Sequence, residues 1–150
     1  MENLITKVKE KAIYSKEKAK EYGEVFTPFE LIEQMCDSLP KGVWFDKNKT
    51  WFDPCCGCGN MSAVIVTRLM KSLTQIGDES DRYKHIMEKM IYLAELQRES
   101  CQKIHEIFNP DGNLKLNLYC GDFLTMPEDF FDLRYESRFV KYPDNCIRPL

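Results

Sequence analysis

One feature constrains this chain more than any other: a short apolar strand that ends in a carboxylate and leads directly into a glycine-bearing turn. Residues 50–60 read Thr-Trp-Phe-Asp-Pro-Cys-Cys-Gly-Cys-Gly-Asn. Asp53 places a negative charge at the strand tip, Gly57 and Gly59 allow a tight turn, and Asn60 is a favourable helix N-cap. In open α/β sheets, backbone N–H groups of such turns bind ligands at the carboxyl ends of strands. The stretch therefore predicts a nucleotide-binding turn, with an ordinary strand-to-helix loop as the alternative.

The rest of the sequence alternates between helical and strand patterns, which predicts an α/β fold. Residues 75–83 are polar and are predicted to form a loop. The predicted elements are a polar helix over 3–22, a helix over 28–38, a strand over 50–52, a helix over 60–73, a strand over 90–95, a helix over 97–108 and a strand over 116–120.

The second predicted helix has a clear start signal. Thr27-Pro28-Phe29-Glu30 matches a capping box with proline at the first helical position. Its apolar residues recur at helical spacing, and we expect the following ones to be buried: Leu31, Ile32, Met35, Cys36 and Leu39.

Two further acidic residues follow predicted strands. Glu95 ends a near-continuous apolar run, which places it to accept hydrogen bonds from both hydroxyls of a ribose. Asp122 follows the third strand within Gly121-Asp122-Phe123. The alternatives are a surface glutamate and a common strand-ending Gly-Asp turn.

Composition describes a globular protein without a membrane span. Hydrophobic residues make up 43% and charged residues 30% of 150 residues, and the N-terminus lacks the apolar core of a signal peptide. We therefore expect a cytoplasmic location. The net charge of -3 gives no basic footprint for nucleic acid over the whole chain.

The chain has seven cysteines, an odd number without a framework spacing, so we expect reduced thiols. Cys55, Cys56 and Cys58 have no second cysteine or histidine pair at zinc-ligand spacing. We expect packed thiols here and no metal site.

Four segments, in this order, resemble the amino-terminal half of the adenine-N6 DNA methyltransferases of restriction-modification systems. They are Gly-Glu-Val-Phe-Thr-Pro at 23–28, the turn at 53–60, Tyr-Leu-Ala-Glu at 92–95 and Gly-Asp-Phe-Leu at 121–124. The resemblance covers 22–124. It implies a Rossmann-like methyltransferase fold that binds S-adenosyl-L-methionine, truncated to its cofactor half and preceded by a helical extension.

The resemblance also implies roles for individual residues. Phe26 and Thr27 would form a wall near the methionine moiety, or else Thr27 only caps its helix and Phe26 is core. Asp122 would accept from the adenine amino group, and Phe123 would stack on the ring. The complete set of expected cofactor-binding residues is Phe26, Thr27, Pro28, Asp53, Pro54, Cys55, Gly57, Gly59, Asn60, Glu95, Leu96, Asp122 and Phe123.

The sequence departs from the family pattern at two places. Cysteines replace the usual small residues or threonine at 55, 56 and 58. The family's catalytic motif, Asn or Asp followed by Pro-Pro and an aromatic residue, has no match before Leu150; Tyr-Pro-Asp-Asn at 142–145 holds similar residue types in another order. We assign no catalytic residue and expect the chain alone to be inactive. In the family, the methyl group passes directly from sulfonium to amine without a metal.

We divide the chain into a helical segment over 1–40 with the Phe-Thr-Pro motif, an α/β core over 41–124, and an irregular tail over 125–150. In the family's sheet the first strand is central. Here its apolar edge would be exposed unless Ser137–Tyr142 forms a fourth strand or another chain, including a second copy, covers it.

The sequence thus predicts the cofactor-binding part of a DNA adenine-N6 methyltransferase, incomplete or completed by a partner chain. DNA would bind only to the larger assembly. The alternative is a non-catalytic binding or regulatory module that acts through protein contacts. A dinucleotide-binding oxidoreductase fits less well, because the turn lacks the third fingerprint glycine and the Phe-Thr-Pro segment would have no role.

Overall fold

The computed structural model describes residues 4–13 and 26–131. It confirms a mixed α/β chain. Short 3-10 helices lie at Lys41–Trp44 and Phe123–Thr125, and a π-helix lies at Ile86–Met90. The main elements are α1 (Leu4–Ile13), α2 (Phe29–Asp37), β1 (Trp51–Asp53), α3 (Asn60–Ser72), α4 (Glu79–His85), β2 (Ile91–Glu95), α5 (Arg98–Phe108) and β3 (Asn117–Cys120).

The three strands form one parallel sheet in the order β1-β2-β3. Phe52 is paired with Tyr92, and Glu95 with Cys120. Because all three strands are parallel, their carboxyl ends meet at one edge of the sheet. We call this the carboxyl edge. Within the described residues, β1 has a neighbour on one side only.

One face of the sheet is covered by helices, and we call it the helix face. Trp51 lies on this face and stacks on Trp44 at 4.8 Å between ring centroids. Arg68 of α3 lies over the Trp44 ring, and Cys101 of α5 is bonded to Cys120 of β3. The crossover helices α3 and α5 therefore pack on the same side of the sheet.

The opposite face carries the alternate side chains Phe52, Tyr92 and Tyr119, one from each strand. We call it the aromatic face. Phe130 and Phe131 pack against these rings edge-on. The rings that pack against this face in the described chain all belong to the segment that follows β3.

The N-terminal helix α1 packs against α3 and α5. Leu4 and Val8 are buried, and Lys11 pairs with Glu106 of α5. The helix is therefore part of the core of the domain. Residues 14–22 of the predicted helix lie outside the described part of the chain.

The prediction of a loop over 75–83 is confirmed for 75–78 and wrong for 79–83, which are helical. Helix α4 begins after Asp78, whose carboxylate accepts from the backbone N–H of Asp81 at 2.9 Å. Asp78 is thus a helix N-cap, which is a signal for the start of a helix. The polar composition of the segment had favoured a loop. The helix then continues into the π-helix and on to β2.

The predicted capping box of α2 does not form. The helix begins at Phe29, and Pro28 is its N-cap with ψ of 143°, outside the helical region. Thr27 therefore lies one residue too far from the helix for its hydroxyl to cap it. The carbonyl of Pro28 instead accepts from the N–H groups of Leu31 and Ile32.

The sequence predicts that five apolar residues between 31 and 39 are buried, and this prediction is wrong for three of them. Ile32 and Cys36 are buried, whereas Leu31, Met35 and Leu39 are 47%, 46% and 38% exposed. The helix packs on α3, and the three exposed residues recur at intervals of four positions. Met35 and Leu39 line a groove together with Trp51 and Phe52 of β1. We call Leu31, Met35 and Leu39 the α2 stripe.

The expectation of reduced thiols is wrong for two cysteines. Cys101 at the start of α5 and Cys120 at the end of β3 form a disulfide with a Cα–Cα distance of 6.2 Å. The sequence hides this pairing because the two residues become neighbours only when α5 packs on the sheet. Cys36, Cys55 and Cys56 are free.

Two predictions fall outside the described residues: the strand at 137–142 and the Tyr-Pro-Asp-Asn segment at 142–145. Every helix within the described ranges is too short or too polar to cross a membrane.

Candidate cofactor site

The carboxyl edge brings together the acidic residues at the three strand ends. Asp53 is the last residue of β1, Glu95 is the last residue of β2, and Asp122 follows β3 by two positions. The parallel register makes the Asp53, Glu95 and Asp122 turns neighbours. This grouping is the one that the sequence predicts.

Glu95 joins all three turns. Its buried carboxylate accepts from the backbone N–H of Gly57 at 2.8 Å and from that of Gln97 at 2.7 Å, one bond to each oxygen. Its carbonyl accepts from the N–H of Gly121 at 2.9 Å. Each carboxylate oxygen still has a lone pair with which to accept from a ligand hydroxyl.

Asp53 lies beside Glu95 and is half-buried. Burial raises its pKa above the ordinary value, and the nearby Glu95 charge raises it further; the N–H of Cys55, which donates at 3.3 Å, opposes both effects. Two carboxylates that share a partly dry site favour a ligand with positive charge or several hydrogen-bond donors.

The two glycines of the turn serve different purposes. Gly57 adopts φ of 53°, and its N–H points to Glu95. Gly59 has φ of 89°, and a Cβ placed there would lie 2.7 Å from the Phe108 ring and 2.9 Å from Ile104. A side chain at Gly59 would therefore collide with α5, which requires a glycine at this position.

The prediction that Asn60 caps α3 is wrong. Gly59 is the N-cap and Asn60 is the first helical residue. Its side-chain amide donates to the carbonyl of Thr27 at 3.4 Å, while its Oδ1 is buried without a hydrogen-bond partner among the described residues. Asn60 thus connects the Phe-Thr-Pro segment to the glycine turn.

The Phe-Thr-Pro segment lies at the start of α2. Phe26 and Thr27 are half-buried and Pro28 is exposed. The bond from Asn60 to Thr27 holds this segment against the glycine turn, 33 positions further along the chain. The structure therefore brings the first two segments of the predicted site together.

The residues predicted to recognise adenine lie at the end of β3. Asp122 is exposed and accepts from the N–H of Leu124 at 2.9 Å, which starts a 3-10 turn. Phe123 is 36% exposed and packs on Phe52 at 5.3 Å between centroids. Leu96 is 70% exposed beside them. This end of the site is open to solvent.

The remaining residues of the turn are Pro54, Cys55, Cys56 and Cys58. Pro54 is half-buried, Cys55 is exposed, and the other two thiols are buried. Burial raises the pKa of Cys56 well above its ordinary value, so the thiol stays protonated. Within the described ranges, no group of three potential metal ligands lies together.

The sequence reasoning missed Gln97 and the disulfide. Gln97 donates its backbone N–H to Glu95 two residues earlier, a pattern by which a side chain stabilises its own turn. The signal available in the sequence was an acidic residue, Glu95, two positions before Gln97, where the predicted helix starts.

Comparison with known proteins identifies the family of this chain. A curated "Uncharacterized adenine-specific methylase" of Mycoplasma pneumoniae (strain ATCC 29342 / M129 / Subtype 1) is 44% identical over 73 residues, which cover 46% of this chain. The match spans 17% of the length of that relative. Residues 8–108 match the family model described as N-6 DNA Methylase. Because this match covers more than half of its 150 residues, the chain belongs to the N-6 DNA methylase family.

Proposed function

We propose that this chain binds S-adenosyl-L-methionine at the carboxyl edge and is the cofactor-binding part of a DNA adenine-N6 methyltransferase of a restriction-modification system. The observation that carries the proposal is Glu95, whose buried carboxylate connects the glycine turn, the β2 turn and the β3 turn. Membership of the N-6 DNA methylase family supports the choice of cofactor. The proposed fold is Rossmann-like and truncated.

The proposed contacts follow the positions of the side chains. Glu95 accepts from the ribose hydroxyls through its remaining lone pairs. Phe26 and Thr27 line the methionine end, where Asp53 attracts the ammonium group. Asp122 and Phe123 receive the adenine at the open end of the site. The backbone between Asp53 and Asn60 forms the floor of the site, including Pro54, Cys55, Gly57 and Gly59; Pro28 and Leu96 border it.

The residues present fit this cofactor. Asn60 Oδ1 is a buried acceptor without a partner in the described part of the chain, so a ligand donor at that point relieves an unsatisfied polar group. Asp53 and Glu95 supply the negative charge that a cationic ligand needs. When bound, S-adenosylmethionine supplies a sulfonium methyl group for direct transfer to an amine; the residues named here bind and orient it.

We further propose that the chain is incomplete as an enzyme. The catalytic Asn-Pro-Pro-aromatic segment and the DNA-reading surface would come from a partner chain of different sequence, which would cover the exposed side of the sheet near β1; a second copy could cover that side but could not supply the motif. DNA would bind to that assembly in the cytoplasm. The exposed α2 stripe supports such a contact, because large apolar patches are typical of interaction sites.

The second candidate is a non-catalytic module that works through protein contacts. The same α2 stripe and the 46% exposed Phe52 favour it. In that case the carboxyl edge keeps its geometry but binds no cofactor.

Titration calorimetry of the purified chain separates the two candidates. We expect saturable binding of S-adenosylmethionine and of its demethylated product, and none of NAD. Asp53→Ala and Glu95→Ala should each weaken binding by about 1–3 kcal/mol through loss of charge-assisted hydrogen bonds. The matched control is Glu79→Gln, an exposed acid on α4 far from the strand ends.

Absence of binding by the unaltered chain would reject the cofactor proposal and favour the interaction module. If neither alanine variant weakens binding, the proposed contacts of Asp53 and Glu95 with the cofactor would be rejected. Methyl transfer to adenine-containing DNA by the chain alone would contradict the proposed need for a partner.

A further inference from the structure

The disulfide between Cys101 and Cys120 lies at the carboxyl edge, beside the proposed cofactor site. Cys101 belongs to the first turn of α5, and Cys120 is the last residue of β3. Cys120 is also the residue that pairs with Glu95 in the parallel register. The cross-link therefore joins the end of β3 to the helix that begins just after Glu95.

Noncovalent contacts between the same two turns meet at Glu95. Its carbonyl oxygen accepts from the N–H of Gly121 at 2.9 Å and lies 3.4 Å from Cys101 Sγ. Its carboxylate accepts from the N–H of Gln97, whose carbonyl accepts from the N–H of Cys101 at 3.0 Å. The proposed ribose acceptor is thus hydrogen-bonded to both turns that the disulfide connects.

The disulfide anchors a short strand at the edge of the described sheet. β3 has four residues, and within the described ranges it pairs with β2 alone. Strand ends and loops of this kind open locally at the lowest cost in free energy. Asp122 and Phe123, the proposed adenine contacts, follow Cys120 within three positions and are exposed. A covalent bond one residue before Gly121 limits how far these side chains can move.

We propose that this disulfide is a redox control of the cofactor site, such that the oxidised chain binds S-adenosylmethionine more tightly than the reduced chain. This rests on the proposed function and adds its regulation. Disulfides in a reducing cytoplasm, the location proposed for this chain, are usually transient or redox-sensing. The reductant is a low-molecular-weight thiol.

Reduction consumes two molecules of this thiol. The thiolate of the first attacks one sulfur, the S–S bond breaks, and the other sulfur leaves as a thiolate and takes up a proton. The second attacks the mixed disulfide, which releases the small-molecule disulfide and the second cysteine thiol. Two electrons and two protons thus pass from the reductant to Cys101 and Cys120. The Cys101 thiol can then donate to the carbonyl of Glu95, so the end of β3 gains the freedom.

The cofactor and the disulfide influence each other. Both sulfurs belong to buried residues, so thiol exchange requires the end of β3 to open. A cofactor bound across the Asp122 turn opposes that opening. Because coupling between two sites is reciprocal, bound S-adenosylmethionine shifts the exchange equilibrium toward the disulfide by the factor by which the disulfide raises affinity.

The test compares the full-length wild-type chain in its oxidised form with the same chain reduced by excess dithiothreitol. Alkylation and mass spectrometry verify each redox state. Titration calorimetry should give a dissociation constant for S-adenosylmethionine that is about fivefold or more lower for the oxidised form. In glutathione buffers, saturating S-adenosylmethionine should shift the midpoint value of [GSH]²/[GSSG] by the same factor.

Two variants assign the effect to this pair of cysteines. The double variant Cys101→Ser, Cys120→Ser should bind as the reduced wild type does, with or without dithiothreitol. The control Cys36→Ala removes a buried free thiol on α2 and should keep the full response.

A measurement without ligand separates a local effect from a global one. Reduction should speed amide exchange at Gly121 about tenfold more than at Val64, which is buried in α3. Equal acceleration at both amides would show that the disulfide only stabilises the whole fold, and would overturn the proposal.

The binding data distinguish failure of this proposal from failure of the proposed function. Equal, saturable binding to the oxidised and reduced forms would reject the redox control and leave the proposed function intact. Binding to neither form would reject the proposed function, and the redox control with it.

Discussion

The backbone N–H of Gly57 donates to Glu95 Oε2 across 2.8 Å, although the two residues are 38 positions apart. The bond fixes the glycine turn after β1 to the tip of β2 before any ligand is present. Glu95 therefore organises the site as well as providing an acceptor. A carboxylate that is both buried and doubly bonded to backbone N–H groups is expected to contribute to folding stability.

Glu95→Gln should lower the free energy of unfolding by about 1–3 kcal/mol without ligand, because an amide NH₂ would face a backbone N–H in place of an acceptor. Urea denaturation measures this loss. Glu79→Gln serves as the control, as above. A Glu95→Gln variant of unchanged stability would show that the two backbone bonds add nothing to the fold.

Asp53→Asn should stabilise the chain at neutral pH while weakening S-adenosylmethionine binding. Burial and then Glu95 raise the pKa of Asp53 in the fold, so its ionised form costs folding free energy. Protonated Asp53 does not carry this cost. Its contribution to folding stability is therefore complete below the pKa of Asp53 in the unfolded chain, near 3.8, and is lost as pH rises through the higher pKa of the folded chain. Unfolding at several pH values should therefore show an advantage of the variant at pH 7 that shrinks toward pH 3.8. An advantage that is equal at all pH values would contradict this cause.

Gly59→Ala should destabilise the chain by roughly 1–3 kcal/mol. The new Cβ would require φ of 89° and would meet the Phe108 ring at 2.7 Å. Gly42→Ala is the matched control, since a Cβ there has no heavy atom within 4 Å. Thermal unfolding of both variants measures the difference, and equal midpoints would argue against the packing role of Gly59.

The double variant Cys101→Ala, Cys120→Ala should lose about 2–4 kcal/mol of stability, because the cross-link closes a loop of 19 positions. A reducing agent should destabilise the wild-type chain more than the variant. Peptide mapping by mass spectrometry under non-reducing conditions identifies the pair directly. Full alkylation of both cysteines in the native, unreduced protein would contradict the disulfide.

His105→Gln should make the chain less sensitive to mild acid. Burial lowers the pKa of His105 below its ordinary value of 6.5, and its Nε2 has no partner in the described ranges. The unfolded chain therefore binds a proton at His105 more readily than the folded chain does. The stability of the fold with neutral His105 is complete above pH 6.5 and is lost as pH falls below that value. Comparing unfolding at pH 7.5 and 5.5 tests this, and equal losses for both proteins would exclude His105 as the cause.

Several local features could be predicted from the sequence alone. The apolar run before Glu95 and the helical pattern that begins at Asn60 each determined an element that the structure contains. Asp53 and Glu95 were also predicted at the ends of strands, and the structure contains them there. These predictions succeed because they depend on near neighbours in the chain.

Tertiary structure decided the features that depend on distant contacts. Leu31, Met35 and Leu39 repeat at helical spacing, yet only the packing of α2 on α3 determines that they stay exposed. Periodicity identifies an apolar face without showing what covers it.

The amino-acid sequence by itself determined the α/β class, the strand tips and the family to which the chain belongs. Only the folded structure paired Cys101 with Cys120, turned the side chain of Asn60 to Thr27, and made Glu95 the acceptor for Gly57. The physical reason is that propensity and periodicity act over a few residues, whereas these bonds join groups 19 to 38 positions apart. Such groups meet only after the helices have packed on the sheet.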